Sequence, residues 1–354
     1  MKEKEARQKK ILSLIAESCG DELLSTRVLA QSLNVSEVTI RRDLQALSGA
    51  GLINRQHGGV SVITTPSRVQ GKAVGIILVA TQGKFSHPFY NEVLEGADQA
   101  FQKLGYELSF VKTFAEVDSS NAIDELLQIR PIKGLLVIGE LNSERLERWT
   151  QRVDIVITTP QSLSPAIDAV LCDSYNGINQ LSHYLHKLGK RRIAFISASG
   201  AGQVRDSRLM SYLASVKELG FEDDPELLFE MEHEFERHPI NLGKTGAEHL
   251  MALRQPPEVI MCLSDMIAIG ALQWLQENGF SVPEEVGVTG FDNIPESEFT
   301  FPPLTTVHAH KRLIGRLAAE QLHRRAQNMD DPPLRILTPT SLIIRKSCVP
   351  VPSN

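Results

Sequence analysis

From Lys72 onward the sequence alternates short apolar runs with helical segments, and this alternation narrows the fold more than any other feature. Candidate strands are Ala73–Val79, Glu107–Val111, Gly134–Ile138, Ile155–Thr158, Ala169–Cys172, Arg192–Ser197, Val259–Leu263, Val286–Gly290 and Leu342–Ile344. Helices fit between them. Val93, Ala97, Ala100 and Leu104 recur at helical spacing before a stop at Gly105, and a second helix through Met266–Asn278 stops at Gly279. Strand–helix alternation implies parallel sheets covered by helices on both faces. Sheets of that kind take ligands at the carboxyl ends of their strands.

The first 60 residues follow a different plan. Ile11, Leu12, Leu14 and Ile15 mark a first helix that ends near Gly20, and Ser25-Thr26 can cap a second with Val28, Leu29 and Leu33 on its inner face. Asn34-Val35 makes a short turn, and Ser36 is suited to cap a third helix. On that helix Ile40, Leu44 and Leu47 share one face, while Val38, Arg41, Arg42 and Gln45 share the opposite one. An apolar stripe backed by adjacent arginines suits a helix that meets phosphates and base edges in a major groove. Leu52–Arg55 and Val60–Val62 can pair around Gln56-His57-Gly58-Gly59, offering Arg55 and His57 for phosphate or minor-groove contact. Three helices and a hairpin make a winged helix-turn-helix. After it, Ser61 to Gly71 carries β-branched, Ser and Pro residues without a helical period and reads as an extended tether.

Charge divides along the same line. The net charge of the 354 residues is −6, yet residues 1–60 carry +2 and the remainder −8. A small basic head on an acidic body fits a DNA-reading module joined to something that avoids DNA. Cys19, Cys172, Cys262 and Cys348 are far apart and in no metal-binding spacing, as expected of reduced thiols in the cytoplasm. The charged N-terminus does not read as a signal peptide, and no apolar run approaches the about 18 residues needed to span a bilayer. No dinucleotide, phosphate-loop, CxxC or Gly-x-Ser-x-Gly motif occurs. Gly243-Lys244-Thr245-Gly246 lacks the upstream glycine and the leading strand of a phosphate loop. No metal, cofactor or catalytic constellation is expected.

Residues 7–60 resemble the DNA-binding domain of DeoR-type bacterial regulators through Val35-Ser36, Thr39-Ile40-Arg41-Arg42-Asp43-Leu44, Leu47, Gly51-Leu52-Ile53, Arg55 and His57-Gly58-Gly59. The resemblance implies DNA contact by Ser36, Thr39, Arg41 and Arg42, with Asp43 orienting an arginine. The full candidate interface is Ser36, Glu37, Val38, Thr39, Arg41, Arg42, Gln45, Arg55 and His57.

The body resembles the effector-binding core of LacI/GalR-type repressors, itself similar to periplasmic sugar-binding proteins. The matching stretches include His87-Pro88-Phe89-Tyr90, Gly134–Ile138, Asp173, Leu188–Ile196, Arg208, Ser264–Leu272, Val282–Asp292, Pro303–Val307 and Leu342–Arg345. The resemblance implies an α/β fold of two doubly wound parallel-sheet subdomains, periplasmic-binding-protein-like, behind the winged helix-turn-helix. It implies a sugar-type cleft with Phe89 stacking from a loop of the first subdomain and Asp173 at a strand end. Arg208, Ser264, Asp265 and Asp292 come from the second, where a guanidinium and carboxylates suit vicinal hydroxyls. This chain departs from the LacI/GalR pattern at Ser264, where Asn is usual, at Ser211 and at Ser174. A tether also stands where that type has a hinge helix.

The domains expected are a head over 1–60, a linker over 61–71 and a body over 72–354. Within the body, subdomain 1 takes about 72–188 and 306–328, and subdomain 2 about 189–300 and 331–354. The expected function is a cytoplasmic, non-enzymatic transcription regulator, most simply a repressor. It binds double-stranded operator DNA as a homodimer or higher oligomer, without a membrane, and answers a small sugar-like effector. The alternatives are a sugar-phosphate-processing enzyme, or a non-regulatory sugar-binding protein, carrying a DNA-binding head.

Overall fold

The computed structural model describes residues 25–49, 53–56, 59–62, 72–79, 87–117, 122–129, 132–139, 143–153, 155–159, 166–199, 206–232, 239–328 and 331–350, with 7, 8, 10, 11, 14, 141 and 164. The chain divides into two compact units, Met1–Gly71 and Lys72–Asn354.

In the head, α1 (Thr26–Ser32) is capped by Ser25, whose hydroxyl accepts the Val28 N–H at 3.3 Å. Asn34 takes a left-handed φ of 52° and closes the turn. Ser36 then caps α2 (Glu37–Gly49), accepting the Thr39 N–H at 3.2 Å. Ile11, Leu29, Ala30, Ile40, Leu44 and Leu47 form the core between these helices. The expected apolar stripe of α2 is therefore the buried one. Strands β1 (Ile53–Gln56) and β2 (Gly59–Val62) pair antiparallel with Gln56 opposite Gly59, so Ser61 and Val62 belong to the hairpin rather than to the tether. The end of the first helix near Gly20, the hairpin tip with His57 and the tether over 63–71 lie outside the described residues.

The body holds two six-stranded sheets. The first, in order β13-β7-β6-β5-β3-β4, comprises Arg335–Thr338, Asp168–Cys172, Ile155–Thr159, Gly134–Ile138, Ala73–Leu78 and Glu107–Thr113, all parallel. The second, in order β14-β12-β11-β10-β8-β9, comprises Thr340–Ile343, Thr305–Ala309, Gly287–Asp292, Val259–Cys262, Ile193–Ser199 and Leu228–Glu232. Only β14 runs antiparallel to its neighbour there. Both faces of each sheet are covered, which explains the unbroken apolar runs of β5 and β10. The expected doubly wound fold is present.

The helices framing the lobes are α3 (Pro88–Lys103), α4 (Ser174–Lys187), α5 (Ser207–Leu219), α6 (Pro239–Met251), α7 (Asp265–Glu277) and α8 (Lys311–Gln327). In the first lobe α3 crosses α8 so closely that a Cβ on Gly96 would lie 2.1 Å from the Arg312 carbonyl oxygen, and one on Gly315 1.9 Å from that of Val93. The second lobe repeats the device between α6 and α7. There a Cβ on Gly243 would lie 1.9 Å from the Ile267 carbonyl oxygen, and one on Gly270 2.0 Å from that of Ile240. Gly243-Lys244-Thr245-Gly246 is thus mid-helix, and its first glycine serves packing.

The expected subdomain boundaries need correction. Helix α4 packs on α5, β12 and β14, so residues 174–187 belong to the second lobe rather than the first. Strand β12 (Thr305–Ala309) lies in the second sheet, although 306–328 was assigned to subdomain 1. Strand β13 (Arg335–Thr338) lies in the first sheet, although 331–354 was assigned to subdomain 2. The chain passes between lobes at Cys172–Ser174, Ala309–Lys311 and Thr338–Thr340. These passages touch: the Asp173 N–H donates to the Thr338 carbonyl at 3.0 Å, the Thr340 hydroxyl donates to the Asp173 carbonyl at 3.2 Å, and Thr340 pairs with Ala309. The passages at Cys172–Ser174 and Thr338–Thr340 leave the carboxyl ends of the first-lobe strands β7 and β13, and that at Ala309–Lys311 leaves the carboxyl end of β12, so the carboxyl edges of the two sheets meet at this junction.

Candidate functional site

On α2 the outward residues are available. Glu37, Val38, Arg41, Arg42 and Gln45 are exposed, Val38 at 62%. Arg41 pairs with Glu37 at 3.6 Å, one helical turn away. The Ser36 and Thr39 hydroxyls share a hydrogen bond at 2.8 Å while Ser36 caps the helix, so both are held in place. Asp43 is buried and accepts from Arg7 Nε at 2.6 Å and Gln8 Nε2 at 3.3 Å. The arginine it orients is therefore Arg7, which ties the first helix to α2 and leaves Arg41 and Arg42 to the surface. Arg55 sits on β1 opposite Val60.

In the body, four of the expected residues stand at carboxyl ends of strands. Asp173 follows β7 and caps α4, accepting the Asn176 N–H at 3.2 Å. Arg208 opens α5 beyond β8, Ser264 follows β10, and Asp292 ends β11. Arg208 is gripped by Asp206, which takes Nε at 2.9 Å on one oxygen and Nη2 at 2.7 Å on the other. Its Nη1 donates to the Leu263 carbonyl at 2.8 Å, and its guanidinium lies 5.3 Å over the Phe291 ring. Burial opposes the Arg208 charge, but Asp206 and Asp292 outweigh it and hold the guanidinium above its usual range. No sequence motif marks Asp206. Its signal was a helix-capping acid before Ser207-Arg208, where the Asp206 side chain accepts the Arg208 N–H at 2.7 Å.

Asp292 is 7% exposed and takes a φ of 113°, followed by Asn293 at 53°. Burial pushes its carboxyl up to about 7, with Asp206 assisting and Arg208 and Lys311 opposing. Cys172, at the passage between lobes, is pushed up to about 12, by burial first and then by Asp292 and Asp173, against Arg208. Asp292, Arg208, Asp206, Asp173 and Cys172 therefore share one electrostatic neighbourhood.

Two expected residues are corrected. Asp265 has no exposed surface, and both its oxygens are taken, by the Thr306 hydroxyl at 2.5 Å and the Ile294 N–H at 2.8 Å. Burial and nearby Asp292 raise its carboxyl well above the usual range. It braces the strand ends beneath the site rather than meeting a ligand. Phe89 is not on a loop: it lies in the first turn of α3, is 4% exposed, and packs edge-on against Tyr90 at 5.9 Å. The stacked pair at this edge is His87 with Tyr90, at 4.1 Å. Among the described residues no cluster of three or more His, Cys, Asp or Glu is placed to hold a metal, and no helix is long and apolar enough to cross a membrane.

Residues 7–66 match the DeoR-like helix-turn-helix domain, and residues 182–348 match the periplasmic binding protein-like domain. The chain therefore joins a DeoR-like helix-turn-helix to a periplasmic-binding-protein-like ligand domain, the combination of a ligand-responsive, DNA-binding transcriptional regulator. Among its relatives is the HTH-type transcriptional repressor PurR of Mannheimia succiniciproducens, 27% identical over 78% of this chain and 81% of that protein. The ribose operon repressor of Haemophilus influenzae is 26% identical over 80% of this chain and 85% of its own length. A LacI transcriptional regulator from Bacillus cereus subsp. cytotoxis superposes with a TM-score of 0.70 at 26% identity, covering 79% of this chain and 99% of that structure.

Proposed function

We propose that the chain reads a near-palindromic operator as a homodimer through a winged, DeoR-type head over residues 1–60. The base-facing surface is Ser36, Glu37, Val38, Thr39, Arg41, Arg42 and Gln45 of α2 and its cap, with Arg55 and His57 on the wing. Two-fold symmetry sets two such helices into successive major grooves. In the body over 72–354, an uncharged sugar or sugar derivative binds where the carboxyl edges of the sheets meet. Asp173, Arg208, Ser264 and Asp292 supply its polar contacts, Asp206 fixes Arg208, and the His87/Tyr90 pair offers an aromatic face. Binding moves one lobe against the other and changes operator affinity by as much as the effector discriminates the two arrangements. The protein works in the cytoplasm and carries out no turnover.

The observation that carries this reading is the convergence of Arg208, held by Asp206 at 2.7 Å, with buried Asp292 at the strand ends. Full-length protein is used to select DNA from a random pool, and a panel of free sugars beginning with D-ribose is screened by thermal shift. A sugar that raises Tm should also change the gel-shift affinity for the selected DNA. Asp292→Ala should keep DNA binding and lose that response. A variant that still responds at the same sugar concentration overturns the site, and chemical conversion of the sugar overturns the non-enzymatic reading.

A further inference from the structure

Lys311 is the first residue of α8, directly after the passage from the second lobe to the first, and only 2% of it is exposed. A buried ammonium is costly unless its charge and its three donors are all answered. Here three acceptors answer it: the Asp292 and Asn293 carbonyls, each at 2.8 Å, and Glu92 Oε1 at 3.3 Å. The carbonyls belong to the second lobe and Glu92 to α3 of the first. The carbonyls come from two consecutive residues at positive φ, a backbone that non-glycine residues rarely adopt, so something must hold it. Part of the hold is the Asn293 side chain, which accepts from Arg345 Nη2 at 2.8 Å and donates to His308 Nδ1 at 3.0 Å. The rest is Lys311.

We propose that Lys311 is a positioning residue for effector recognition: it fixes the left-handed Asp292–Asn293 turn that presents the Asp292 carboxylate to the cleft, and ties that turn to the first lobe through Glu92. The proposal rests on the cleft reading above. It adds that the bond between α3 and the ligand-binding strand end passes through one buried cation. A change of lobe arrangement then has to break or remake that three-way contact.

The test needs no effector. Asp292 faces Lys311 from α8, Arg208 and Asp206 from α5, Asp265 from α7, and Cys172 at the end of β7. Its folded carboxyl titrates at about 7, above the unfolded value of about 3.9. Its contribution to stability is therefore full below the unfolded value and is lost as pH rises through about 7. Tm of the full-length protein is measured from pH 5 to pH 9, with Asp292→Asn identifying the step that belongs to Asp292. Lys311→Met removes the favourable charge and should move that step upward by about 1 pH unit or more, whereas Lys311→Arg should leave it in place. A purely structural lysine would lower Tm evenly across the range.

An unmoved step in Lys311→Met, or no Asp292-dependent step in the wild type, overturns the proposal. Should Lys311→Met not fold, Glu92→Gln carries the test: with its counter-charge gone, Lys311 acts on Asp292 at full strength and the step moves downward. An unmoved step in that variant overturns the proposal. Because no sugar enters the experiment, failure to find an effector leaves its result standing, and its failure leaves the effector site to be judged on its own test.

Discussion

Arg41 on α2 leaves 65% of its side chain exposed and pairs loosely with Glu37 at 3.6 Å, whereas Arg208 at the start of α5 is 13% exposed and locked to Asp206 at 2.7 Å. The first arrangement costs little to rearrange. A solvated guanidinium of this kind can follow a phosphate backbone and gains from the counterions it displaces. The second has lost its freedom before any ligand arrives. Its donors are aimed by a carboxylate and a carbonyl, so whatever binds beside it must match a fixed geometry. On the proposed reading, head and body use the same side chain for attraction in one case and for discrimination in the other.

The largest effect should come from the exposed pair. Arg41→Ala with Arg42→Ala should weaken binding to the selected DNA by on the order of 100-fold or more and reduce the salt slope by about 2, with Tm unchanged. Unchanged gel-shift affinity would break the comparison at its first term. Asp206→Ala should do the reverse, leaving DNA affinity intact while lowering stability by about 3 kcal/mol, because a mostly buried cation loses its partner. Denaturant unfolding measures that loss, and a neutral result would mean that Arg208 relaxes into water. Asp265→Asn should cost about 2 kcal/mol by replacing a buried carboxyl whose two oxygens are both hydrogen-bonded. Guanidinium midpoints check this value, and no change would return Asp265 to the list of ligand contacts. Smallest of all, Glu37→Gln should strengthen DNA binding by about twofold at low salt and less at high salt. Titration at two ionic strengths resolves it.

The elements were more legible in the sequence than their partnerships. Gly134–Ile138 reads as a buried parallel strand because both its faces are covered, and Ile40, Leu44 and Leu47 name their own buried face. What went unread is where the chain changes lobes. Nothing local marks residues 174–187 as the second lobe's helix, since an amphipathic helix packs equally well on either sheet. Strands β9, β12 and β13 were missed: β9 and β13 are edge strands of mixed polarity, Leu228–Glu232 and Arg335–Thr338, and internal β12, Thr305–Ala309, is masked by its Thr and His residues. In the proposed site, Arg208 and Asp292 were marked by motif, and both stand at the carboxyl side of the second sheet. Asp265 was misread because a motif fixes a residue's place in the chain and not its exposure. Glu92 and Lys311 meet across 219 positions, a distance that no spacing rule spans.

The three adjoining passages between the lobes carry a mechanical consequence. Within each lobe, glycine-mediated helix crossings bring backbone against backbone, which resists sliding inside the lobe. Three strands of chain fastened to one another at Asp173, Thr338 and Thr340, and to Ala309, act as bearings set along one shaft. Such a joint resists sliding of one lobe along the other more than it resists rotation. An event at the carboxyl edges is then expressed chiefly as an angle between the lobes. One angle is all that a downstream reader has to measure.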